Sequence, residues 1–132
     1  MFTFTVAGVP KGKARPRFWN GRAVTPATTR EYEQEVAWSA KAGGVRVLDG
    51  PIVLDVIATF PIAESWSKAK KEQALAGQLP HLSRPDADNV LKIVCDSLNG
   101  IAWKDDAQVV DARVRKKYGS IPELMINLKQ AS

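Results

Sequence analysis

The sequence has only one cysteine and one histidine among its 132 residues, and this scarcity excludes several kinds of site. Cys95 has no partner, so a disulfide framework and a zinc site built on cysteines are both ruled out. His81 follows Pro80, and with no second histidine or cysteine it supports neither a zinc site nor a catalytic triad. Cys95 falls in an apolar helical pattern, which predicts a small buried hydrophobe rather than a reactive thiol. A reducing, intracellular setting is the simplest expectation.

Long apolar runs are also missing. No window approaches the roughly 18 apolar residues of a membrane span, and the first residues alternate like a strand, without the basic start and apolar run of a signal peptide. We therefore expect a soluble, cytoplasmic protein with no membrane partner. The 45% hydrophobic and 25% charged composition predicts a single domain over residues 1–132 with one modest core.

The familiar phosphate-loop and hydrolase motifs are absent too. There is no Gly-rich phosphate loop, no Gly-x-Ser-x-Gly and no His-Glu-x-x-His. Asp86 and Asp88 match the first and third positions of an EF-hand. The fifth, sixth and twelfth positions are then Val90, Leu91 and Ser97, where the motif needs oxygen ligands and a glycine. Calcium sensing is therefore not predicted, and neither is an organic cofactor.

Periodicity predicts a two-layer α+β domain, a small mixed sheet with helices packed on one face. The expected strands are 2–6, 52–60, 109–118 and 123–129, and a hairpin at 17–24 turns at Asn20-Gly21. The expected helices are 28–41, 68–76 and 88–98. A capping box of Thr28 with Glu31 is predicted to open the first helix, and Ser67 to cap the second.

The most informative feature is a group of aspartates in a basic chain. Six of the fourteen acidic residues fall between Arg84 and Asp111, although the net charge is +5. On a helix, Asp88, Lys92 and Asp96 share one face. Asp86, just after Pro85, can join Asp88 at the helix start. This pattern fits a metal site, and it also fits helix capping with a plain salt-bridge ladder.

Asp105 and Asp106 favour the metal site. They are adjacent like charges in a turn before a strand, where neither sheet propensity nor capping requires two carboxylates. If three aspartates bind Mg²⁺, the ion can polarise a scissile phosphate and generate hydroxide from water, while Lys92 neutralises charge on the phosphate oxygens. The cluster therefore predicts phosphodiester hydrolysis.

Basic residues occur in three groups, which together fit a DNA-binding surface better than solvated faces. Residues 10–30 contain six basic residues and no acidic one, and the two other groups lie at 68–71 and 113–117. We predict DNA contacts from Lys11, Lys13, Arg15, Arg17, Arg22, Lys68, Lys70 and Lys71.

Two aromatic residues, Phe18 and Trp19, lie within the first basic group. They could stack on exposed bases, but the core of a hairpin is the favoured interpretation. A disordered arm and a rigid hairpin are both compatible with this segment.

Taken together, these residues resemble the RusA-type Holliday-junction resolvases, particularly the phage-like members. The resemblance spans nearly the whole chain. It includes segments 8–17, 29–33, 65–68, 84–89, 96–100 and 105–109, of which the acidic segment 84–89 is the most specific.

The resemblance implies a homodimeric, Mg²⁺-dependent endonuclease, with Mn²⁺ as a substitute, that makes paired nicks in four-way DNA junctions during recombination and repair. The family's metal-binding aspartates fall on Asp86, Asp88 and Asp106, and its catalytic lysine on Lys92. The division of work between Asp105 and Asp106 stays open, so Asp105 is kept among the metal-ligand candidates. A non-catalytic junction-binding protein and a nuclease for flaps or other branches are the alternatives.

Overall fold

The computed structural model describes residues 1–14, 17–24 and 26–131. In chain order its elements are β1 (Phe2–Ala7), β2 (Arg17–Trp19), β3 (Arg22–Val24), α1 (Ala27–Ala42), β4 (Ile52–Phe60), α2 (Lys68–Leu75), α3 (Ala87–Leu98), a 3₁₀ turn (Asp106–Gln108), β5 (Val109–Tyr118) and β6 (Glu123–Gln130). Four strands form one sheet in the order β1-β6-β4-β5, and β2 and β3 form a separate ribbon.

The four-stranded sheet is mixed, because β4 pairs with β5 in parallel and with β6 in antiparallel. Alternate residues of β4, from Ile52 to Phe60, point into the core, as the strict two-residue period predicted. Helices α1 and α3 cover this face with apolar side chains such as Val36 and Ile93, which are fully buried. The predicted two-layer α+β fold, with helices on one face, is confirmed.

The opposite face of the sheet carries polar and half-buried side chains. Asp55 of β4 lies beside Arg113 of β5 in the strand register, and its Oδ2 is 3.4 Å from the Arg115 guanidinium. The basic side chains at 113, 115 and 117 therefore project away from the face that carries α3. None of the helices in the described ranges is both long and apolar enough to cross a membrane.

One helix start differs from its prediction. Pro26 occupies the N-cap of α1 and no side chain caps that end, so the predicted capping box of Thr28 with Glu31 is wrong. The helix begins at Ala27, which places both residues inside it, and proline already fits the start of a helix because it has no N–H to satisfy. Ser67 does cap α2, since its hydroxyl accepts from Lys70 N at 3.2 Å.

The ribbon of β2 and β3 has the predicted turn. Asn20 and Gly21 both have positive φ, 51° and 74°, as a two-residue hairpin of this type requires. The favoured hairpin core is wrong, because Phe18 and Trp19 are 78% and 73% exposed. Strands of three residues that pair only with each other in the described chain leave no second layer for these rings.

Candidate active site

Helix α3 presents the predicted polar stripe beside the core. Its apolar side buries Val90, Ile93, Val94 and Leu98, and this burial fixes the rotation of the helix. Asp88 is exposed in the first turn, and Lys92 is exposed one turn later. The polar side chains of α3 can therefore reach a ligand without disturbing the fold.

Three of the predicted catalytic residues share one concavity. Asp88 and Lys92 of α3 line it together with Asp106, from the 3₁₀ turn that precedes β5. The concavity has a volume of about 460 Å³ and is completed by Asp96, Cys95, Leu91, Val109 and Ala112. Residues that are 18 positions apart in sequence are thus brought to one surface by the packing of α3 against the start of β5.

Asp86 lies on another side of the α3 start. It lines an adjoining groove of about 400 Å³ with Lys11, Arg84 and Asn89. Asp86 occupies the N-cap position of α3, yet its side chain makes no capping hydrogen bond. Within residues 1–14, 17–24 and 26–131, no three Asp, Glu, His or Cys side chains are grouped closely enough to hold a metal ion. Asp88 and Asp106 therefore line the same concavity, whereas Asp86 lines the adjoining groove.

The groove beside Asp86 is closed on one side by residues 10–13, which we call the strap. The strap runs against the start of α3, where Lys13 N donates to Asn89 O at 2.9 Å. A Cβ on Gly12 would lie 2.7 Å from the Cβ of Pro85. This close approach needs glycine, because any side chain there would push the strap away from the helix.

Lys13 holds the strap in place through two carboxylates. Its Nζ is 2.8 Å from Glu33 Oε1 on α1 and 3.2 Å from Asp96 Oδ2 on α3. Burial lowers the pKa of Lys13, but hydrogen bonds and charges from Glu33 and Asp96 outweigh it and raise the pKa overall. Asp96 therefore pairs with Lys13, and the described residues contain no Asp88–Lys92–Asp96 salt-bridge ladder.

The two adjacent aspartates have different surroundings. Asp105 caps the 3₁₀ turn, since its Oδ1 accepts from Ala107 N at 3.1 Å while Gln108 Oε1 accepts from Asp105 N at 3.1 Å. The expectation that capping does not call for this pair is therefore wrong for Asp105. Asp106 makes no such cap and faces the concavity of Asp88 and Lys92.

The negative charge in the concavity affects the pKa of a nearby thiol. Cys95 is half-buried, and burial together with the negative charges of Asp106 and Asp96 raises its pKa to about 11. The thiol is therefore protonated at neutral pH and is a poor nucleophile, as predicted, but it lines the concavity and is not the fully buried residue that the sequence predicted. The local field of these carboxylates favours a cation in the concavity.

The predicted DNA-contacting residues differ in their exposure to solvent. Lys11, Arg22, Lys68 and Lys70 are exposed, and Lys71 is half-buried. Lys70 Nζ lies 4.2 Å from the centroid of the Trp66 ring. Arg15 lies outside the described residues, and only the backbone of Arg17 is described, in β2.

One contact near the site was missed by the sequence analysis. Lys116 Nζ donates to the main-chain oxygens of Ser83 and Pro85, both at 2.8 Å, on the segment that leads to Asp86. The three basic residues predicted as a group, at 113, 115 and 117, lie on the other face of β5. The two-residue period of a strand already indicated that Lys116 points toward the helices.

Comparison with known proteins identifies the family of the chain. Residues 7–129 match the model of the family described as "Endodeoxyribonuclease RusA". A Bacillus subtilis (strain 168) protein named "Uncharacterized protein YqaN" is 38% identical over 136 residues, covering 98% of this chain and 96% of that protein. The match spans the strap, α3 and the 3₁₀ turn together, and the chain belongs to the RusA endodeoxyribonuclease family.

Proposed function

We propose that this chain is a metal-dependent endodeoxyribonuclease that resolves four-way DNA junctions by paired hydrolysis of phosphodiester bonds, in DNA recombination and repair. The observation that carries the proposal is the single concavity lined by Asp88, Lys92 and Asp106. Two carboxylates and an ammonium group at one surface are the groups that metal-assisted phosphate hydrolysis uses. Membership in an endodeoxyribonuclease family supports the same chemistry.

The carboxylates fit Mg²⁺, with Mn²⁺ as a substitute. Magnesium keeps several of its waters and is usually bound through one or two carboxylates plus substrate phosphates, so it does not require a cage of three protein ligands. Asp88 and Asp106 supply two such carboxylates, and Asp86 is our third ligand candidate, from the adjoining groove. When bound, the ion would polarise the scissile phosphate and lower the pKa of a water molecule.

The other side chains of the site orient and neutralise the DNA strand. Lys92 is exposed on the wall of the concavity, where its ammonium would bind a phosphate oxygen and offset charge that grows during hydrolysis. Lys11 and Arg84 line the groove of Asp86 and would bind neighbouring phosphates. Asp105 serves in this proposal as the cap that fixes Asp106, rather than as a ligand.

Branched DNA is the proposed partner, and a homodimer the proposed active form. The exposed residues Lys11, Arg22, Lys68 and Lys70 would contact phosphates on the arms of the junction. Lys13 would act indirectly, by holding the strap against α3. Two equivalent sites related by two-fold symmetry suit paired cuts in a junction that is itself nearly two-fold symmetric.

Cleavage of a labelled synthetic four-way junction tests the proposal. Asp86→Asn, Asp88→Asn and Asp106→Asn should each lower the Mg²⁺-dependent cleavage rate by at least about 100-fold and leave junction binding measurable. The matched control is Asp111→Asn, an exposed aspartate on the far face of the sheet, which should cleave like the wild type. Symmetric nicks with Mg²⁺ or Mn²⁺ and none with EDTA are expected.

Separate variants of Asp105 and Asp106 test whether the first is a helix cap and the second a metal ligand. Asp105→Asn keeps a good capping residue and should retain cleavage, whereas Asp106→Asn should not. Binding without nicks in every metal would establish a non-catalytic junction-binding protein instead. Faster cleavage of flaps or forks than of four-way junctions would reassign the substrate and leave the chemistry intact.

A further inference from the structure

We infer that Lys116 is a positioning residue that sets the orientation of Asp86 at the metal site, an inference that rests on the proposed metal-dependent activity. Lys116 lies on β5, far along the chain from Asp86, and it points to the helix side of the sheet. Its Nζ donates to Ser83 O and Pro85 O, each at 2.8 Å. These two oxygens lie three residues and one residue before Asp86 in the chain.

The contact with Pro85 acts directly on the backbone of Asp86. The carbonyl oxygen of Pro85 and the amide nitrogen of Asp86 belong to one planar peptide unit, so a donor fixed on that oxygen also fixes the direction of the Asp86 N–Cα bond. On its other side, Asp86 O accepts from Val90 N at 3.1 Å in the first bond of α3. Asp86 is thus held by both of its flanking peptides, while its carboxylate has no hydrogen bond or salt bridge with any other described residue.

The segment needs such an anchor because it has little structure of its own. Residues 76–86 form no helix or strand. His81 fixes the middle of this segment, because its ring is buried and stacks on Phe60 with ring centroids 3.9 Å apart. Lys116 fixes the end that enters α3. Hydrogen bonds from an ammonium group are about twice as strong as neutral ones, so Lys116 restrains this end of the segment more than a neutral donor would.

Lys116 does not act as a counter-ion of Asp86. Among the described residues the salt bridges involve Lys13 and Arg115, and Lys116 has no carboxylate within 4 Å. Its effect therefore depends on where its two hydrogen bonds hold the main chain. Outer-shell groups that orient a metal ligand through hydrogen bonds typically change metal affinity by about 10–100-fold when they are lost, and we expect an effect in this range for Lys116.

Metal binding without DNA separates this role from general stability. Free Mn²⁺ would be measured by electron paramagnetic resonance in titrations of wild type, Lys116→Met, Lys116→Arg and the control Lys129→Met, an exposed strand lysine on the far face of the sheet. Lys116→Met should weaken Mn²⁺ binding by about 10–100-fold. Lys116→Arg, which keeps a cationic donor, should recover most of the affinity, and Lys129→Met should match the wild type. Lys116→Gln gives the same comparison if the methionine variant melts early.

A double-mutant cycle with Asp86→Asn decides whether Lys116 works through Asp86. If it does, Lys116→Met changes Mn²⁺ affinity by less than about two-fold in the Asp86→Asn background. Equal losses in both backgrounds, or no loss in the single variant, would overturn the inference and leave the proposed nuclease standing. A wild type that binds no Mn²⁺ without DNA would also overturn the inference, whereas the proposed function is overturned only if the wild type cuts no branched DNA with Mg²⁺ or Mn²⁺.

Discussion

His81 is buried against two aromatic rings at the ends of β4 and β5. Its ring stacks on Phe60 and lies 4.9 Å, centroid to centroid, from Tyr118. Burial, and then the positive charge of Lys116, lower the pKa of His81 below its usual 6.5. The folded state therefore favours the neutral imidazole over the protonated one.

This lowered pKa makes stability depend on pH. The unfolded chain takes up a proton on His81 below about pH 6.5 and the folded chain does so only at lower pH, so stability is full above 6.5 and falls as the pH drops through the lowered pKa. His81→Phe keeps the stacked ring without the titration. Urea unfolding at pH 7.5 and pH 5 should show the wild type losing stability relative to this variant. A difference between the two proteins that is the same at both pH values would contradict the prediction.

Among single residues, local roles were predictable and distant ones were not. The cap formed by Asp105 was within reach, because Gln108 follows three residues later in the spacing of a capping box. The pairing of Lys13 with Asp96 was not, since it joins a loop to a helix 83 positions later. A local sequence pattern cannot predict a contact between residues so far apart in the chain. Lys13 was therefore predicted only as a DNA contact.

At the scale of elements, the β2–β3 ribbon presents two exposed aromatic rings beside a basic segment. Phe18 and Trp19 are exposed enough to stack on unpaired bases, which is worth about 1–3 kcal/mol per base. Trp19→Ala should therefore weaken binding of a four-way junction by about 5- to 150-fold, measured by fluorescence anisotropy. The melting temperature should not change, because the ring is not part of the core.

Trp38 provides the matched control for this prediction. It is 71% exposed on α1, so Trp38→Ala removes an equally accessible ring from a different element. Junction affinity should then match that of the wild type. Equal losses from Trp19→Ala and Trp38→Ala would mean that the ribbon has no special contact with DNA.

The strands of the main sheet were predictable because their burial alternates. The bounds of β4 and β5 agree with the predicted 52–60 and 109–118, since each side chain has a definite face. The exposure of Phe18 and Trp19 in the ribbon could not be predicted from alternation. Its turn chemistry predicts the pairing of β2 with β3, but not whether another layer covers the pair.

At the scale of the whole molecule, the candidate site depends on contacts between distant segments. Sequence spacing correctly united Asp88 with Lys92, because both lie on one helix face. It could not place Asp86 in the groove of the strap, since that location depends on Gly12 packing against Pro85. Similarly, Asp106 reaches α3 only through the packing of α3 on the sheet.

Paired cutting requires two active sites, so the last prediction concerns assembly. We expect a homodimer, with a mass by light scattering of twice the 14.4 kDa chain. On a supercoiled plasmid that extrudes a cruciform, two active subunits should cut both strands within one binding event and give linear DNA. Mixed dimers of wild type with Asp88→Asn should nick one strand and give open circles, because each subunit carries one concavity. A chain that stays monomeric while making paired cuts would contradict this prediction, since its two nicks would then come from independent encounters.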